Sequence, residues 1–366
     1  MKTIRRLIYV EVVQAVAFVS LGFLALFFFF DFVDELPRLG RGIEPYRMTQ
    51  ALLYTALRLP NHLYELLPIA VLIGTIFVMA RFAQSSEYTI LRTSGLGPWR
   101  ALRALLVLGA GFTVLTFAVG DYLSPLSERT AQLLKSRIAG GISAGTTGAW
   151  LKERQRYLSY NVNVRTLTPE GQMREVRIFE ADSRGHLVSL TQAQRGRFAE
   201  GAWVLEDVDR TEFNLADGAT SRVEQARLET LRWPTEISQE MVSVALLKPD
   251  RMSTIALFQY IRHLAANGQS SQRYEIEFWR KVFYPLSCMV MVVLALPFAY
   301  LHFRSGGITS YVFGGVLIGI SFFLLNNVFG YIGNLQNWLP WVASGLPGLI
   351  YMMASLAAFG WLVLRR

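Results

Sequence analysis

The sequence predicts an α-helical membrane protein with six transmembrane helices and an all-β domain inserted between helices three and four. Hydrophobic residues make up 52% of the 366 residues, and charged residues only 17%. This composition is more apolar than that of soluble proteins. Long uncharged runs occur near both ends of the chain, and the stretch between them has short segments of alternating polarity. Membrane helices are therefore expected to flank a β-rich domain.

The N-terminal part, residues 1–122, contains three apolar runs. Residues 12–30 are free of charge over 19 positions, a length that suits the hydrocarbon core of a bilayer. Residues 60–80 and 104–120 form the second and third runs, and the third ends at Asp121. We therefore predict three membrane spans before the inserted domain.

A short polar loop, RFAQSSEYTILRTSGLGPWR, separates the second run from the third. Ser85 can cap the N-terminus of a helix, and Glu87 then lies in the first turn, where the helix dipole favours an acid. Gly95 and Pro98 provide the signals that end it. These residues predict a helix of about three turns over residues 85–95.

One face of this predicted helix is apolar. Tyr88 and Leu91 are three residues apart and share that face, whereas Arg92 lies away from it. Two interpretations fit this pattern: the helix rests on the bilayer surface, or a soluble partner binds it in a groove.

Residues 123–248 have the alternation of β-strands, as in RYLSYNVNV and REVRIFEAD. Turn residues recur between these segments, for example Ser183-Arg184-Gly185, which indicates an antiparallel sandwich or roll. The inward-facing candidates are apolar residues: Leu158, Ile178, Phe179 and Val204. We expect no enzymatic activity in this domain, because its polar residues follow the outward phase of the strands.

The remainder, residues 249–366, is predicted to be a connecting helix and three further spans. Ser253 and Gly268 are the expected start and stop signals of the connecting helix. The fourth span, residues 282–301, is interrupted by Pro285 and Pro297. Sixty uncharged residues between Arg304 and Arg365 predict two more spans, residues 308–330 and 340–364, joined by the turn NLQNWLP.

The distribution of Lys and Arg predicts the orientation. Basic residues are more numerous in the short segments on the side of the two termini, which therefore face the cytoplasm. The β domain is then on the opposite side of the membrane.

Several function classes lack support in the sequence. The chain has a net charge of +9, but its sequence has no stripe of basic residues with interleaved aromatic residues. No nucleic-acid binding is therefore predicted. The glycine-rich stretch GGISAGTTG lacks the lysine of a phosphate-binding loop, and the four histidines lack the spacing of metal ligands. No catalytic, cofactor or metal site is therefore expected. An ion-coupled secondary transporter would need an ionisable residue in the middle of a span, and none is expected there; a membrane-anchored periplasmic receptor would need a cytoplasmic signalling module.

Four segments carry a resemblance to a known family. FVDELPRLGRG follows the first span, LPNHLYELLPIAVLIG opens the second, QSSEYTILRTSG lies in the polar loop, and GQSSQRYEIEFWRKVFYPLS precedes the fourth. Together with the order of spans, they resemble the LptF/LptG family of lipopolysaccharide-export permeases over nearly the whole chain. FVDEL, RYEIEFWRKVFYPLS and the pair Phe329-Gly330 resemble the LptG branch.

The resemblance implies a bacterial inner-membrane protein that is one subunit of an ATP-driven exporter. Its implied partners are the permease LptF, a dimer of the ATPase LptB, the protein LptC and a periplasmic LptA-type bridge that receives the lipopolysaccharide. ATP and Mg²⁺ would be used by LptB, so no cofactor is implied for this chain. The periplasmic β domain would be a jellyroll that guides the lipid, and the helix in the polar loop would bind LptB.

The resemblance also implies two sets of site residues. The set for coupling to the ATPase is Glu87, Tyr88, Leu91, Arg92 and Gly95. The substrate set consists of apolar cavity residues and charged residues for the phosphorylated head group: Phe27, Phe30, Phe323 and Leu324, with Asp31, Arg38, Arg41, Lys135 and Arg137. Asp31 departs from the family pattern, which has a basic residue there. Head-group binding then requires that Arg38 or Arg41 substitutes, or that a divalent ion joins Asp31 to phosphate.

Overall fold

The computed structural model describes residues 2–40, 45–85, 97–139, 148–155, 157–168, 171–199, 201–214, 222–245, 249–300 and 308–364. Within these ranges, six helices are long and apolar enough to cross a membrane. Three precede a β-sheet in the sequence and three follow it. The predicted fold class, six membrane helices with an inserted β domain, is confirmed.

The helices have lengths typical of membrane spans and of short connectors. In chain order they are Lys2–Glu35 (α1), Met48–Gln84 (α2), Pro98–Ala118 (α3), Ser124–Ala139 (α4), Gln239–Ala245 (α5), Thr254–Ala266 (α6), Gln272–Phe283 (α7), Ser287–Ala295 (α8), Ile308–Leu335 (α9) and Pro340–Leu364 (α10). The strands are Ala149–Gln155 (β1), Leu158–Leu167 (β2), Met173–Ala181 (β3), Leu187–Ala199 (β4), Ala202–Asn214 (β5) and Arg222–Pro234 (β6).

The chain forms two compact units. The first, here called the membrane unit, comprises residues 1–34, 55–127 and 275–366. The second, here called the β unit, comprises residues 35–54 and 128–274. Each unit has its own cluster of buried apolar side chains.

Helix α2 lies at the centre of the membrane unit. In its most apolar 18-residue stretch 78% of the residues are buried, against 11% for α1. Glycines allow the neighbouring helices to approach it closely: Gly74 of α2 meets Val16 of α1, and Gly319 of α9 meets Ile69. Small residues at helix contacts are the usual means of packing helices in lipid. As a result, α1 and α9 both pack on α2.

The third span is longer than the sequence predicts. A π-helical turn, Val119–Leu123, joins α3 to α4, and the helix reaches Ala139. Pro125 explains the turn, since proline lacks an N–H and its ring crowds the carbonyl four residues earlier, that of Asp121. The predicted start of the β domain at residue 123 therefore lies within a helix, and the first strand begins at Ala149.

The fourth span consists of helical segments broken at both predicted prolines. Pro285 lies in the 3₁₀ turn Tyr284–Leu286, and Pro297 in the 3₁₀ segment Leu296–Tyr300. The span begins at Gln272 rather than at residue 282. The sixth span, Pro340–Leu364, has the predicted bounds.

The β unit contains one six-stranded antiparallel sheet whose strands pair in sequence order, β1 to β6. Its core includes Trp203, which is fully buried and lies opposite Trp233 on β6. Of the predicted inward residues, Ile178 is buried, whereas Leu158, Phe179 and Val204 are half-buried. Phe179 and Val204 directly follow the buried residues Ile178 and Trp203, so they lie on the opposite face of the sheet, and Leu158 is the first residue of β2.

Helix α6 has the predicted start and stop signals. The Ser253 side chain accepts a hydrogen bond from the Ala256 N–H, as an N-cap residue does. Gly268 follows the helix with a φ of +63°, a left-handed conformation that glycine adopts readily. Both predictions for this connecting helix are confirmed.

Candidate functional site

The five predicted coupling residues, Glu87, Tyr88, Leu91, Arg92 and Gly95, lie outside the described residues. Arg41 of the substrate set lies outside them as well. The backbone of Arg137 belongs to α4. The remaining substrate candidates fall into the two units, and each unit is considered separately.

In the membrane unit, Asp31 at the C-terminal end of α1 is held by two partners from α2, the Arg58 guanidinium and the His62 imidazole. Its Oδ1 lies 3.1 Å from Arg58 Nη1, and its Oδ2 lies 2.7 Å from His62 Nε2. The Phe27 ring, one turn earlier on α1, packs against the His62 ring at a centroid distance of 4.9 Å. Both carboxylate oxygens of Asp31 are thus paired within this chain.

This arrangement changes the expected role of Asp31. A carboxylate whose two oxygens are paired with a guanidinium and an imidazole is well solvated by the protein and does not require a divalent ion. The Arg58 guanidinium places positive charge directly beside Asp31, the position at which the family resemblance implied a basic residue. The sequence analysis did not identify Arg58 or His62. Their positions, 27 and 31 residues after Asp31, give no local signal, because the pairing depends on two helices meeting.

The apolar members of the substrate set lie on the two helices that pack on α2. Phe30 on α1 and Leu324 on α9 are more than half exposed, and Phe323 is partly exposed. Other large apolar side chains of α1 are also exposed, including Phe18 and Leu21. These faces are suited to contact with lipid chains or with another membrane helix.

In the β unit, the charged candidates Arg38 and Lys135 meet at one buried carboxylate. Lys135 Nζ lies 3.1 Å from Glu35 Oε1, and the Arg38 guanidinium bonds the same oxygen. Only 4% of the Glu35 side chain is exposed. The structure therefore brings together two of the predicted head-group cations and adds an acid that was not predicted.

Two tyrosines complete this group. Lys135 Nζ lies 4.4 Å from the centroid of the Tyr54 ring and 3.4 Å from its hydroxyl oxygen. Tyr46 is the second tyrosine of the group, and it is buried. Burial is the larger cause that raises the pKa of the Tyr46 phenol, and the negative charge of Glu35 is the next. Tyr46 is therefore neutral at physiological pH.

The membrane unit also contains an ionisable residue within a span, which the sequence analysis did not predict. Lys281 on α7 is 6% exposed, and its Nζ donates a hydrogen bond to the Gly120 carbonyl at 3.2 Å. Gly120 belongs to the π-helical turn of the third span. The Nζ also lies 5.7 Å from the centroid of the Tyr64 ring. Lys281 thereby connects the third and fourth spans.

Two further charges of α7 form part of the same helix surface. Arg280 Nη1 lies 2.9 Å from Glu277 Oε1, and its Nη2 donates to the Asn326 carbonyl of α9 at 3.3 Å. The fourth candidate span begins at Gln272 rather than at residue 282, so these charges, which the sequence places before the span, lie in its first half. Their i, i+3, i+4 spacing is the signal that marks a shared helix face.

Comparison with known proteins agrees with this architecture. The family model for lipopolysaccharide export system permease LptF/LptG matches residues 6–365. The chain is 26% identical over 339 residues to the lipopolysaccharide export system permease protein LptG of Escherichia coli strain K12, covering 92% of this chain and 90% of that protein. It is 25% identical over 326 residues to LptG of Haemophilus influenzae, covering 88% of each. The chain therefore belongs to the LptF/LptG family of lipopolysaccharide export system permeases.

Proposed function

We propose that this chain is the LptG-type permease subunit of an ATP-driven exporter. The exporter extracts lipopolysaccharide from the outer leaflet of the inner membrane and passes it to a periplasmic protein bridge that leads toward the outer membrane. The observation that carries this proposal is the match to the permease family over residues 6–365. Six spans with one inserted β domain agree with it.

The apolar faces of α1 and α9 support a lipid substrate. A lipid with several acyl chains needs an extended apolar surface rather than an enclosed polar pocket. Phe30 and Leu324 contribute to such surfaces on two helices that share α2 as their neighbour. Each unit also has a cation that a phosphorylated head group could bind, Arg58 in the membrane unit and Lys135 in the β unit.

We assign ATP hydrolysis, with its Mg²⁺, to a partner ATPase of the LptB type and propose LptF as the second permease subunit. LptC and an LptA-type bridge would receive the lipid. In this assignment both termini are cytoplasmic and the β unit is periplasmic, since short segments rich in Lys and Arg face the cytoplasm. The polar loop between the second and third spans then faces the ATPase.

An ion-coupled carrier is the alternative that Lys281 suggests. Its ammonium group, however, is engaged by the Gly120 carbonyl and by the face of the Tyr64 ring. Such contacts fix the packing of two spans. The exporter is therefore the function that the contacts support better.

Affinity purification tests this function. The tagged chain is expressed in its own host, solubilised in mild detergent and analysed for bound proteins and lipid. An exporter subunit purifies with a second permease, an ATPase and lipopolysaccharide. A chain that purifies alone and moves solute in response to an ion gradient contradicts the proposal.

Replacement of Glu87 tests the coupling assignment. If the Glu87 carboxylate forms a desolvated, charge-assisted contact with the ATPase, we expect Glu87→Ala to weaken that interface by about 2–5 kcal/mol. The variant should insert and fold normally, but ATPase retention and lipid release should fall. Retention is measured by co-purification, and release by ATP-dependent transfer to a soluble acceptor.

Arg92→Ala is the matched control, because Arg92 lies off the face that contains Tyr88 and Leu91. We expect it to retain the ATPase almost as well as the unchanged chain. Normal assembly and export by Glu87→Ala would instead indicate a helix that rests on the bilayer surface.

A further inference from the structure

Helix α6, the connecting helix before the fourth span, is apolar on two opposite faces. Leu257, Tyr260 and Leu264 form its inner face, and all three are buried. Ile255 and Phe258 lie on the other face, where their side chains are 63% and 52% exposed. A helix that borders water normally has polar residues on its outward face. The outer face of α6 is therefore suited to an environment other than water.

Helix α6 packs beside the point at which the chain enters the fourth span. The Tyr260 ring contacts the Tyr274 ring edge-on, at a centroid distance of 4.8 Å, and Tyr274 lies in the first turn of α7. Two residues further on, about 3 Å along the helix axis, the Ile276 carbonyl accepts a hydrogen bond from the Ser344 hydroxyl at 2.8 Å. Ser344 belongs to the second turn of the sixth span. The first turn of α7 is thus level with the end of a membrane helix.

Aromatic residues indicate that this level is a membrane–water boundary. Trp341 lies one turn before Ser344, at the start of the sixth span, and its side chain is 51% exposed. Tryptophan and tyrosine are enriched where membrane helices leave the hydrocarbon core. A helix that packs beside this entry point has its far face toward the surrounding lipid. The surface of the bilayer is therefore the environment expected for the outer face of α6.

The β1–β2 hairpin lies at the same end of the β unit. The Arg154 backbone N–H donates to the Asn267 side chain at 2.9 Å, and Asn267 directly follows α6. Tyr157, in the turn of the hairpin, is 79% exposed. The Arg154 and Arg262 side chains are exposed as well. Aromatic, aliphatic and basic side chains thus share one end of the β unit, a combination typical of segments that lie on a membrane surface.

We propose that this end of the β unit, namely the outer face of α6 and the tip of the β1–β2 hairpin, lies on the head-group layer of the surrounding bilayer and binds anionic phospholipid. Ile255 and Phe258 reach the boundary of the acyl chains. The Arg262 guanidinium, which lies on the same helix face, pairs with lipid phosphate. The inference does not depend on the exporter function, because it concerns the lipid of the bilayer rather than a transported molecule.

Site-specific labelling of the full chain in nanodiscs tests this contact. Ile255→Cys and the matched control Val223→Cys are each labelled with a fluorescent maleimide, and Cys288 can remain because it is fully buried. Val223 is 55% exposed and lies on β6, about 36 Å along the strand from Pro234. The Pro234 carbonyl accepts a hydrogen bond from Gln155 beside the hairpin turn. The control therefore lies at the opposite end of the sheet.

Two quenchers distinguish lipid from water. The nanodiscs contain phosphatidylcholine with about 30% phosphatidylglycerol. Phospholipid with a nitroxide on its head group should quench the Ile255→Cys label at least about threefold more than the Val223→Cys label, and aqueous iodide should do the reverse. Adding Arg262→Glu should reduce the lipid quenching about twofold or more in these discs and much less in discs of phosphatidylcholine alone. Arg262→Lys should preserve it.

Three results overturn the inference. Equal iodide quenching of the Ile255→Cys and Val223→Cys labels would show that α6 faces water. Protection of the Ile255→Cys label from both quenchers would show that another protein subunit covers this face. An equal effect of Arg262→Glu in both kinds of disc would reject the binding of anionic lipid. Phe258→Cys provides the same measurement if Ile255→Cys does not assemble.

Discussion

Trp203→Ala is expected to destabilise the β unit by about 3–5 kcal/mol. The Trp203 side chain is fully buried between the sheet and the segment that follows β6. Its Nε1 donates a hydrogen bond to the Ile237 carbonyl at 2.7 Å, and its ring packs edge-on against Phe198 at a centroid distance of 5.2 Å. The substitution therefore creates a cavity and also leaves a buried carbonyl without its donor.

Hydrogen exchange of the full-length protein in detergent measures this effect. Amides of β4, β5 and β6 should exchange about a hundredfold faster or more, because exchange in the core reports the free energy of opening. Trp150→Ala is the matched control: the Trp150 side chain is 52% exposed and stacks on Phe179 from the surface. Similar acceleration in both variants would contradict the assignment of Trp203 to the core.

Gly74→Leu should separate the first two spans. A Cβ atom at Gly74 would lie 2.8 Å from both the backbone nitrogen and Cγ2 of Val16. Backbone atoms cannot move aside as a flexible side chain can, so α1 must shift away from α2. Overpacking of this kind typically costs about 1–3 kcal/mol, and a backbone clash with a larger side chain places the expected cost at the upper end of that range or above it.

The single cysteine of the chain provides the measurement. Cys288 is fully buried in the membrane unit and lies 3.2 Å from the Thr116 hydroxyl. Its modification by a maleimide therefore reports opening of the helix bundle, and Gly74→Leu should speed this reaction at least tenfold, or about 1.4 kcal/mol. Gly111→Leu is the control, because a Cβ at Gly111 meets nothing within 4 Å. Equal rates for both variants would mean that Gly74 does not determine the packing of α1.

The gross architecture could be predicted because its signals are local. The last two spans follow from sixty uncharged residues, and the sixth has its predicted bounds. Ser253 and Gly268 act on their own helix, so their roles were visible in the sequence. The breaks at Pro285 and Pro297 follow from the chemistry of proline alone.

The contacts that build the sites depend on residues distant in sequence. Glu35 meets Lys135 across 100 positions, and Thr116 meets Cys288 across 172. No local pattern encodes such distances. The position of charged residues also gave a wrong start for the fourth span. The predicted span begins at residue 282, after Lys281, whereas the helix begins at Gln272 and the Lys281 Nζ donates to the Gly120 carbonyl.

The coupling residues show a different limit. Glu87 and its neighbours lie outside the described residues, so their role stays a prediction from the helix-capping pattern and the family resemblance. Arg41 also lies outside the described residues, so its role stays a prediction too. The role of the described substrate residues stays a prediction as well: α1 and α9 have exposed apolar faces, Arg58 pairs with Asp31, and Lys135 pairs with Glu35.

The most direct test of the exporter assignment is ATP-dependent transfer of lipopolysaccharide in a reconstituted system. Proteoliposomes contain the complete complex and radiolabelled lipopolysaccharide, and a soluble periplasmic acceptor is added outside. If this chain is a subunit of the exporter, we expect labelled lipid to reach the acceptor only when ATP is supplied to the ATPase and only when this chain is present. Transfer that continues without this chain, or that is driven by an ion gradient in the absence of ATP, would contradict it.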